Sequence, residues 1–168
     1  MDEAAAERNE ATIRRLYDGL DRHDGEAMAS CYAAEALFTD PVFPELHGEQ
    51  AQDMWRMLTS RATDLAVELP DAHADAQAGA ARWIATYSFG ATGRKVVNRV
   101  RSDFRFDDQG RIVEQHDDFP FWTWSRQALG LPGLALGWTP LLRAKVRANA
   151  ATELARFRAD LRESEAPG

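Results

Sequence analysis

Residues 94–119 read "RKVVNRVRSDFRFDDQGRIVEQHDDF". On both sides of "DDQG", apolar and polar residues alternate, the period of a β-strand whose two faces meet different surroundings. Two such runs joined by a short polar link containing glycine make an antiparallel hairpin. In the first arm Val96, Asn98, Val100, Ser102, Phe104 and Phe106 share a face, and Val97, Arg99, Arg101, Asp103 and Arg105 share the other. In the second arm Val113, Gln115, Asp117 and Phe119 lie opposite Ile112, Glu114, His116 and Asp118. The first set of each arm faces the core, which puts Asp117 inside. A single β-bulge would exchange Asp117 for His116 or Asp118.

Upstream, "DLAVEL" (64–69) and "ARWIATYSF" (81–89) alternate in the same way, with Trp83, Ala85, Tyr87 and Phe89 as an apolar set, and "GATG" turns the second run into the hairpin. Nearer the N-terminus the period becomes helical. Ile13, Leu16, Tyr17 and Leu20 mark one face of a helix over Ala4–Arg22. Asp24 caps a short helix, "GEAMASCY"; Leu37–Thr39 is a brief strand; a third helix begins near Gly48 with Ala51, Met54, Trp55 and Leu58 on one face. Helices followed by a meander predict an α+β domain whose N-terminal helices cover one face of a curved antiparallel sheet.

"PDAHADAQAG" (70–79) reads as a solvated loop, so the alternating Asp71, His73 and Asp75 are not expected to bind metal. After Phe119, "PFWTWSRQALGLPGLALGWTPLL" is aromatic and interrupted by Gly and Pro; it reads as a loop serving as a lid or dimer surface. Thr139–Pro140 then starts a C-terminal helix carrying Leu142, Val146, Leu154, Phe157 and Leu161, before a frayed "RESEAPG". Residues 1–168 form one domain, with a core at about 8–120 and an extension at 121–163.

Composition narrows the function. Of the 168 residues, 45 % are apolar and 28 % charged, with a net charge of −7. A nucleic-acid partner needs a basic surface and is excluded. The N-terminus lacks an apolar leader, and no run approaches the roughly 18 apolar residues of a membrane span, so no membrane partner is expected. Cys31, the one cysteine, cannot form an internal disulfide and reads as a packing residue, which fits a reducing cytoplasm. Only Lys95 and Lys145 are lysines among 20 basic residues, which with the many alanines suggests a GC-rich bacterial genome. H-E-x-x-H, G-x-S-x-G, Walker A and G-x-G-x-x-G motifs are all missing.

The chemistry concentrates in two acids. Asp40, in "FTDPVFPELHG" (38–48), ends a strand between apolar residues, where an ionised group must find partners, shift its pKa or react. Asp117 faces the same interior, along with Asn98, Ser102, Gln115 and Tyr87. A mostly apolar concavity with a few convergent polar groups describes a small-molecule pocket. Two carboxylates there push each other's pKa apart, giving one proton acceptor and one donor. The bland alternative makes Asp40 a strand-end acid held by backbone N–H groups. Trp55, Trp83, Trp122, Trp124 and Trp138 are core and lid, or a wall for a flat ligand.

The order of elements and the words "FTDPVFPELHG", "YSFGATGRKVV" and "SDFRFDDQGRIVEQHDDF" resemble the ketosteroid isomerase family, part of the nuclear-transport-factor-like superfamily with the SnoaL-like polyketide cyclases. The resemblance spans roughly residues 10–120. It implies a cone-shaped α+β barrel with a deep apolar pocket, commonly dimeric through its sheet, needing no metal or organic cofactor. Asp40 matches the family's catalytic base, which moves a proton between carbons next to a carbonyl. The family's tyrosine donor falls on Leu16, with Tyr17 beside it, and its aspartic acid donor falls on Ser102. Asp117 matches an acid/base aspartate of SnoaL-like cyclases and limonene-epoxide-hydrolase-like enzymes. The latter's Arg–Asp pair has no match here, where Tyr87 stands instead.

The expected protein is a cofactor-independent acid–base enzyme of isomerase or cyclase type, acting on a hydrophobic carbonyl compound as a homodimer. Asp40, Asp117, Tyr87, Ser102 and Tyr17 are the candidate catalytic residues. Trp55, Trp83, Phe89, Phe104, Phe119, Asn98, Gln115 and His116 are the candidate binding set. The alternatives are an epoxide hydrolase, and a non-catalytic module for hydrophobic-ligand binding or dimerisation.

Overall fold

A computed structural model describes residues 2–167. Helix α1 (Asp2–Asp21) buries Ile13, Leu16, Tyr17 and Leu20, the face the spacing marks. The Asp24 side chain accepts from Ala27 N at 2.9 Å and caps α2 (Gly25–Ala29). This helix ends before Cys31, and Tyr32 opens strand β1 (Tyr32–Thr39). The strand is thus longer than Leu37–Thr39: pairing with a distant strand overrides the helical preference of "YAAEAL". A two-residue strand, β2 (Leu46–His47), returns along β1. Helix α3 (Glu49–Arg61) buries Ala51, Met54 and Trp55, but Met57 is buried where Leu58 was expected, and Leu58 is exposed.

Strands β3 (Ala66–Ala74), β4 (Ala78–Ser88), β5 (Lys95–Phe106) and β6 (Ile112–Asp118) form the predicted meander. The six-stranded sheet has the order β2-β1-β6-β5-β4-β3, with β2 and β3 as free edges. It is not wholly antiparallel, because β1 lies parallel to β6. Hydrophobic alternation carries no information about that direction. The predicted loop at "PDAHA" is the second half of β3. Pro70 is tolerated there because β3 is an edge strand with a bulge between Glu68 and Asp71. Ala72 turns inward while Asp71 and His73 stay exposed, and among the described residues no cluster of His, Cys, Asp and Glu is placed to hold a metal ion.

Burial along β5 follows the alternation residue by residue. In β6 it slips once. The register shifts opposite Arg105–Phe106, and Ile112 is buried instead of exposed. The bulge lies upstream of Gln115, so Gln115 and Asp117 keep their inward phase.

The aromatic segment is helical, not a loop. Helix α4 (Phe121–Leu129) is followed by α5 (Leu131–Leu136) and α6 (Pro140–Glu165), with Gly130 at φ 71° breaking the chain between the first two. Helix α4 docks Phe121, Trp124 and Ala128 on Val96, with Val42, Tyr87, Phe89, Phe119 and Val146 packed around them. Thr139 caps α6 by accepting from Leu142 N at 3.3 Å, with Pro140 in the first turn. Of the predicted α6 stripe, Leu154 is fully buried and the other members are half-buried. An ion pair, Arg158 Nε to Asp53 Oδ2 at 2.9 Å, ties α6 to α3. No helix of the described residues is long and apolar enough to cross a membrane.

Candidate active site

At the end of β1 the chain turns sharply. Asp40 N donates to Phe43 O at 2.8 Å, and Asp40 Oδ1 accepts from Val42 N at 2.6 Å and Phe43 N at 2.5 Å. Pro41 presets the turn's φ and has no N–H to satisfy. From α6, Arg147 Nε donates to Pro41 O at 2.9 Å. The two amides and the nearby Arg147 charge favour the carboxylate. Burial outweighs them and pushes the Asp40 carboxyl up to about 6.

Asp117 sits deeper, at 3 % exposure. Burial pushes it up to about 7, and the charge of Asp40 acts in the same direction. Its Oδ1 accepts from Ser102 Oγ at 2.6 Å, directly across β5, and from Gln115 Nε2 at 2.9 Å. Ser102 Oγ also meets Tyr17 OH at 2.7 Å and Trp83 Nε1 at 2.8 Å. A hydroxyl has one proton to give. Ser102 gives it to Asp117, so Tyr17 and Trp83 both donate to Ser102. On the other side Gln115 Oε1 accepts from Tyr32 OH at 2.5 Å, and Tyr32 OH accepts from Trp55 Nε1 at 2.7 Å. Two lines of donors, from Trp55 and from Tyr17 with Trp83, therefore converge on one carboxylate oxygen. Among the described residues none donates to Asp117 Oδ2. The Tyr17 and Tyr32 phenols are raised well above their ordinary values, by burial and then by the Asp117 charge, and stay protonated.

The predicted residues divide into two groups. Tyr17, Ser102, Trp83, Gln115, Trp55 and Phe104 gather around Asp117. Tyr87 lies with Phe89 and Phe119 under α4, and its hydroxyl accepts from Trp124 Nε1 at 2.9 Å. The Asp40 charge raises the Tyr87 phenol further after burial, so the α4 group borders Asp40. Tyr17, not Leu16, carries the hydroxyl that reaches Ser102; Leu16 is plain core. Asn98 is half-buried and makes no side-chain hydrogen bond among the described residues. His116 does not join the interior. It is exposed, and its Nδ1 lies 2.6 Å from Thr39 Oγ1 across the β1–β6 pair, because the bulge upstream leaves β6 in phase at Gln115. Cys31 is buried, its thiol raised by burial, as a packing residue would be.

Tyr32 and Arg147 were not foreseen. Tyr32 was hidden by the helical reading of its segment. Arg147 is a surface-like arginine in a helix whose docking no local pattern reveals. An open concavity of about 490 Å³ borders this centre through Trp83 and Phe119 and is otherwise lined by Pro70, Arg82, Ile84, Arg99, Val100, Arg101, Asp118 and Pro120. A second, of about 210 Å³, reaches Tyr17 between α1 and β3, beside Val67 and Leu69. Neither contains Asp40 or Asp117.

The fold has known counterparts. An LEH-like epoxide hydrolase of M. tuberculosis superposes with a TM-score of 0.63 at 19 % identity, covering 78 % of this chain and 97 % of that one. A proposed ketosteroid isomerase from Kribbella flavida DSM 17836 superposes with a TM-score of 0.54 at 16 % identity, covering 68 % and 79 %. At such identities the likeness is one of fold. No curated protein matches the sequence. The SnoaL-like domain model matches residues 13–115, which carry both acids' strands up to Gln115 and most of the donors that converge on Asp117. By that match, the chain belongs to the SnoaL-like domain family, within the nuclear-transport-factor-like superfamily.

Proposed function

We propose that the protein is an acid–base enzyme acting on a hydrophobic, carbonyl-bearing small molecule, with Asp40 as proton acceptor and Asp117 as proton donor. The observation that carries this is that, among the described residues, each carboxyl is fixed through Oδ1 alone. Asp40 Oδ1 holds two amide protons, and Asp117 Oδ1 holds Ser102 and Gln115. A proton on either group therefore resides on Oδ2. Burial raises both carboxyls, Asp40 to about 6 and Asp117 to about 7, which brings each into the range where a group exchanges a proton near neutral pH. An ionised Asp40 can take a proton from carbon, and a protonated Asp117 can hydrogen-bond to the enolate oxygen that forms. Tyr17, Ser102, Tyr32 and Gln115 act as positioning residues, because their protons point toward Asp117 and not away from it.

A second reading, a hydrophobic-ligand-binding module, is favoured by the backbone turn that satisfies Asp40 Oδ1 without any ligand. The two separate on proton exchange. Hydrophobic cyclic ketones are incubated in deuterated buffer near pH 6.5, and α-carbon deuteration is followed by NMR. Enzyme-dependent exchange that falls about a hundredfold or more in Asp40→Asn supports acid–base catalysis. Binding without exchange assigns the module. Diol formed from a terpene epoxide, without ketone exchange, moves the reading to epoxide opening.

A further inference from the structure

Helix α5 and the start of α6 present an apolar surface that nothing among the described residues covers. Leu131 is 79 % exposed, Trp138 75 % and Leu141 80 %, with Leu134 and Leu136 at about half. In a lone soluble domain such residues are scattered; here they are consecutive turns of one corner.

The outward aim is built in. Helix α5 turns its small residues toward the protein. A Cβ on Gly133 would lie 1.9 Å from Ser125 O, and one on Gly137 would lie 2.1 Å from Ser125 Oγ. With the glycines pressed on α4, the leucines have no inward position to take. Trp122 Nε1 donates to Leu134 O at 3.2 Å, and Trp138 Nε1 donates to Ala135 O at 3.0 Å. The corner is thus internally hydrogen-bonded and its indole rings are held by the backbone.

Charge identifies the occupant. The chain carries a net charge of −7, yet from Pro120 to Thr152 it has no Asp or Glu, while Arg126, Arg143, Lys145 and Arg147 fall in that span. Arg126, Arg143 and Lys145 are exposed, with the Arg126 guanidinium 4.9 Å over the Trp122 ring and that of Arg143 5.0 Å over the Phe121 ring. An apolar tip with tryptophan and a basic rim matches an anionic lipid surface, where the tip enters the acyl boundary and the rim meets headgroups.

We propose that the α5–α6 corner is a peripheral docking surface for a bilayer containing anionic lipid, seated through Leu131, Trp138 and Leu141 with Arg143 and Lys145 on the headgroups. The expectation of no membrane partner rested on the lack of a spanning segment, and docking on a surface needs none. The proposal does not depend on the catalytic reading.

The test is co-sedimentation of the full chain with phosphatidylcholine vesicles, with and without about 30 % phosphatidylglycerol, at about 0.1 M salt. Partitioning onto the anionic vesicles is expected, at least about tenfold stronger than onto neutral ones. It should fall about tenfold or more in Leu131→Ser/Leu141→Ser, and several-fold in Arg143→Gln/Lys145→Gln. Leu58→Ser, at an exposed leucine on α3, should bind like the parent. Thermal melts confirm that each variant is folded. Failure to sediment with anionic vesicles overturns the proposal, as does binding that the Leu131→Ser/Leu141→Ser variant retains. A dimer in gel filtration that this same variant dissociates would also overturn it, assigning the corner to a second copy.

Discussion

The Tyr17 hydroxyl lies 2.7 Å from Ser102 Oγ, joining the first helix to the fifth strand at the centre of the domain. Because Ser102 spends its proton on Asp117, this contact has a fixed direction, and so does every bond that follows it. Among the described residues, Ser102 is the one hydrogen-bond link between Asp117 and the Tyr17–Trp83 stack, whose rings lie 4.8 Å apart.

Removing that link should cost more than removing either end. Ser102→Ala leaves Tyr17 and Trp83 with buried protons and no acceptor, at about 3 kcal/mol. Tyr17→Phe deletes a donor while leaving Ser102 its bond to Trp83, at about 1 kcal/mol. Urea unfolding of both variants checks the order. Equal losses would mean that the hydroxyl of Ser102 does not organise the centre.

Stability should fall as pH rises across the acid range. Asp40 and Asp117 have folded values of about 6 and about 7, above the ordinary 3.8. Between about pH 4 and 7 the folded state then binds more protons than the unfolded state, which makes stability decrease with pH. Ionising Asp117 inside the fold costs on the order of 4 kcal/mol. Asp117→Asn should therefore match the parent near pH 4.5 and melt higher at pH 8, with a flatter profile between. A parent whose melting temperature rises from pH 4.5 to 8 would contradict this assignment of both groups.

Two substitutions at Asp40 separate its structural and chemical roles. Asp40→Asn keeps an acceptor for the Val42 and Phe43 amides, so it should change stability by less than about 1 kcal/mol while losing proton exchange. Asp40→Ala strips both amides of their partner and should cost about 2 kcal/mol in addition. Chemical denaturation beside the exchange assay distinguishes them. Equal activity in Asn and parent would leave Asp40 as a turn residue.

Glycine at position 133 is required by contact and not by backbone angle. Gly133→Ala would set a methyl 1.9 Å from Ser125 O, so α5 must separate from α4. Gly90→Ala, with no atom within 4 Å of the added carbon, is the control. Hydrogen exchange should show loss of protection confined to α4 and α5 in the first and no change in the second.

Much of this arrangement is legible in the sequence. Period-two alternation places Asp117 inside, and it holds because the β6 bulge falls upstream, opposite Arg105–Phe106, and not between Gln115 and Asp117. The Ser102–Asp117 pairing is a matter of hairpin register, which alternation does not specify. Tyr32 escapes because an alanine-rich stretch favours helix locally, and only the parallel partner β6 holds it extended. Helix α4 escapes because glycine and proline punctuate its surroundings, and the apolar face that stabilises it is supplied by Val96 on a remote strand. Which residue a turn's carboxylate will meet across the fold, as Asp40 meets the influence of Arg147, is set by helix docking that leaves no periodic trace.

The one-way run of donors into Asp117 Oδ1 also constrains how this centre can change over time. Any single replacement among Tyr17, Tyr32, Ser102 or Gln115 strands a buried proton or lone pair, so the neighbouring states in sequence space are all less fit to fold. Divergence must then proceed by paired substitutions. Losing the acid would itself strand the Ser102 hydroxyl and a Gln115 amide proton, so Asp117 and the residues that point toward it are bound to change together.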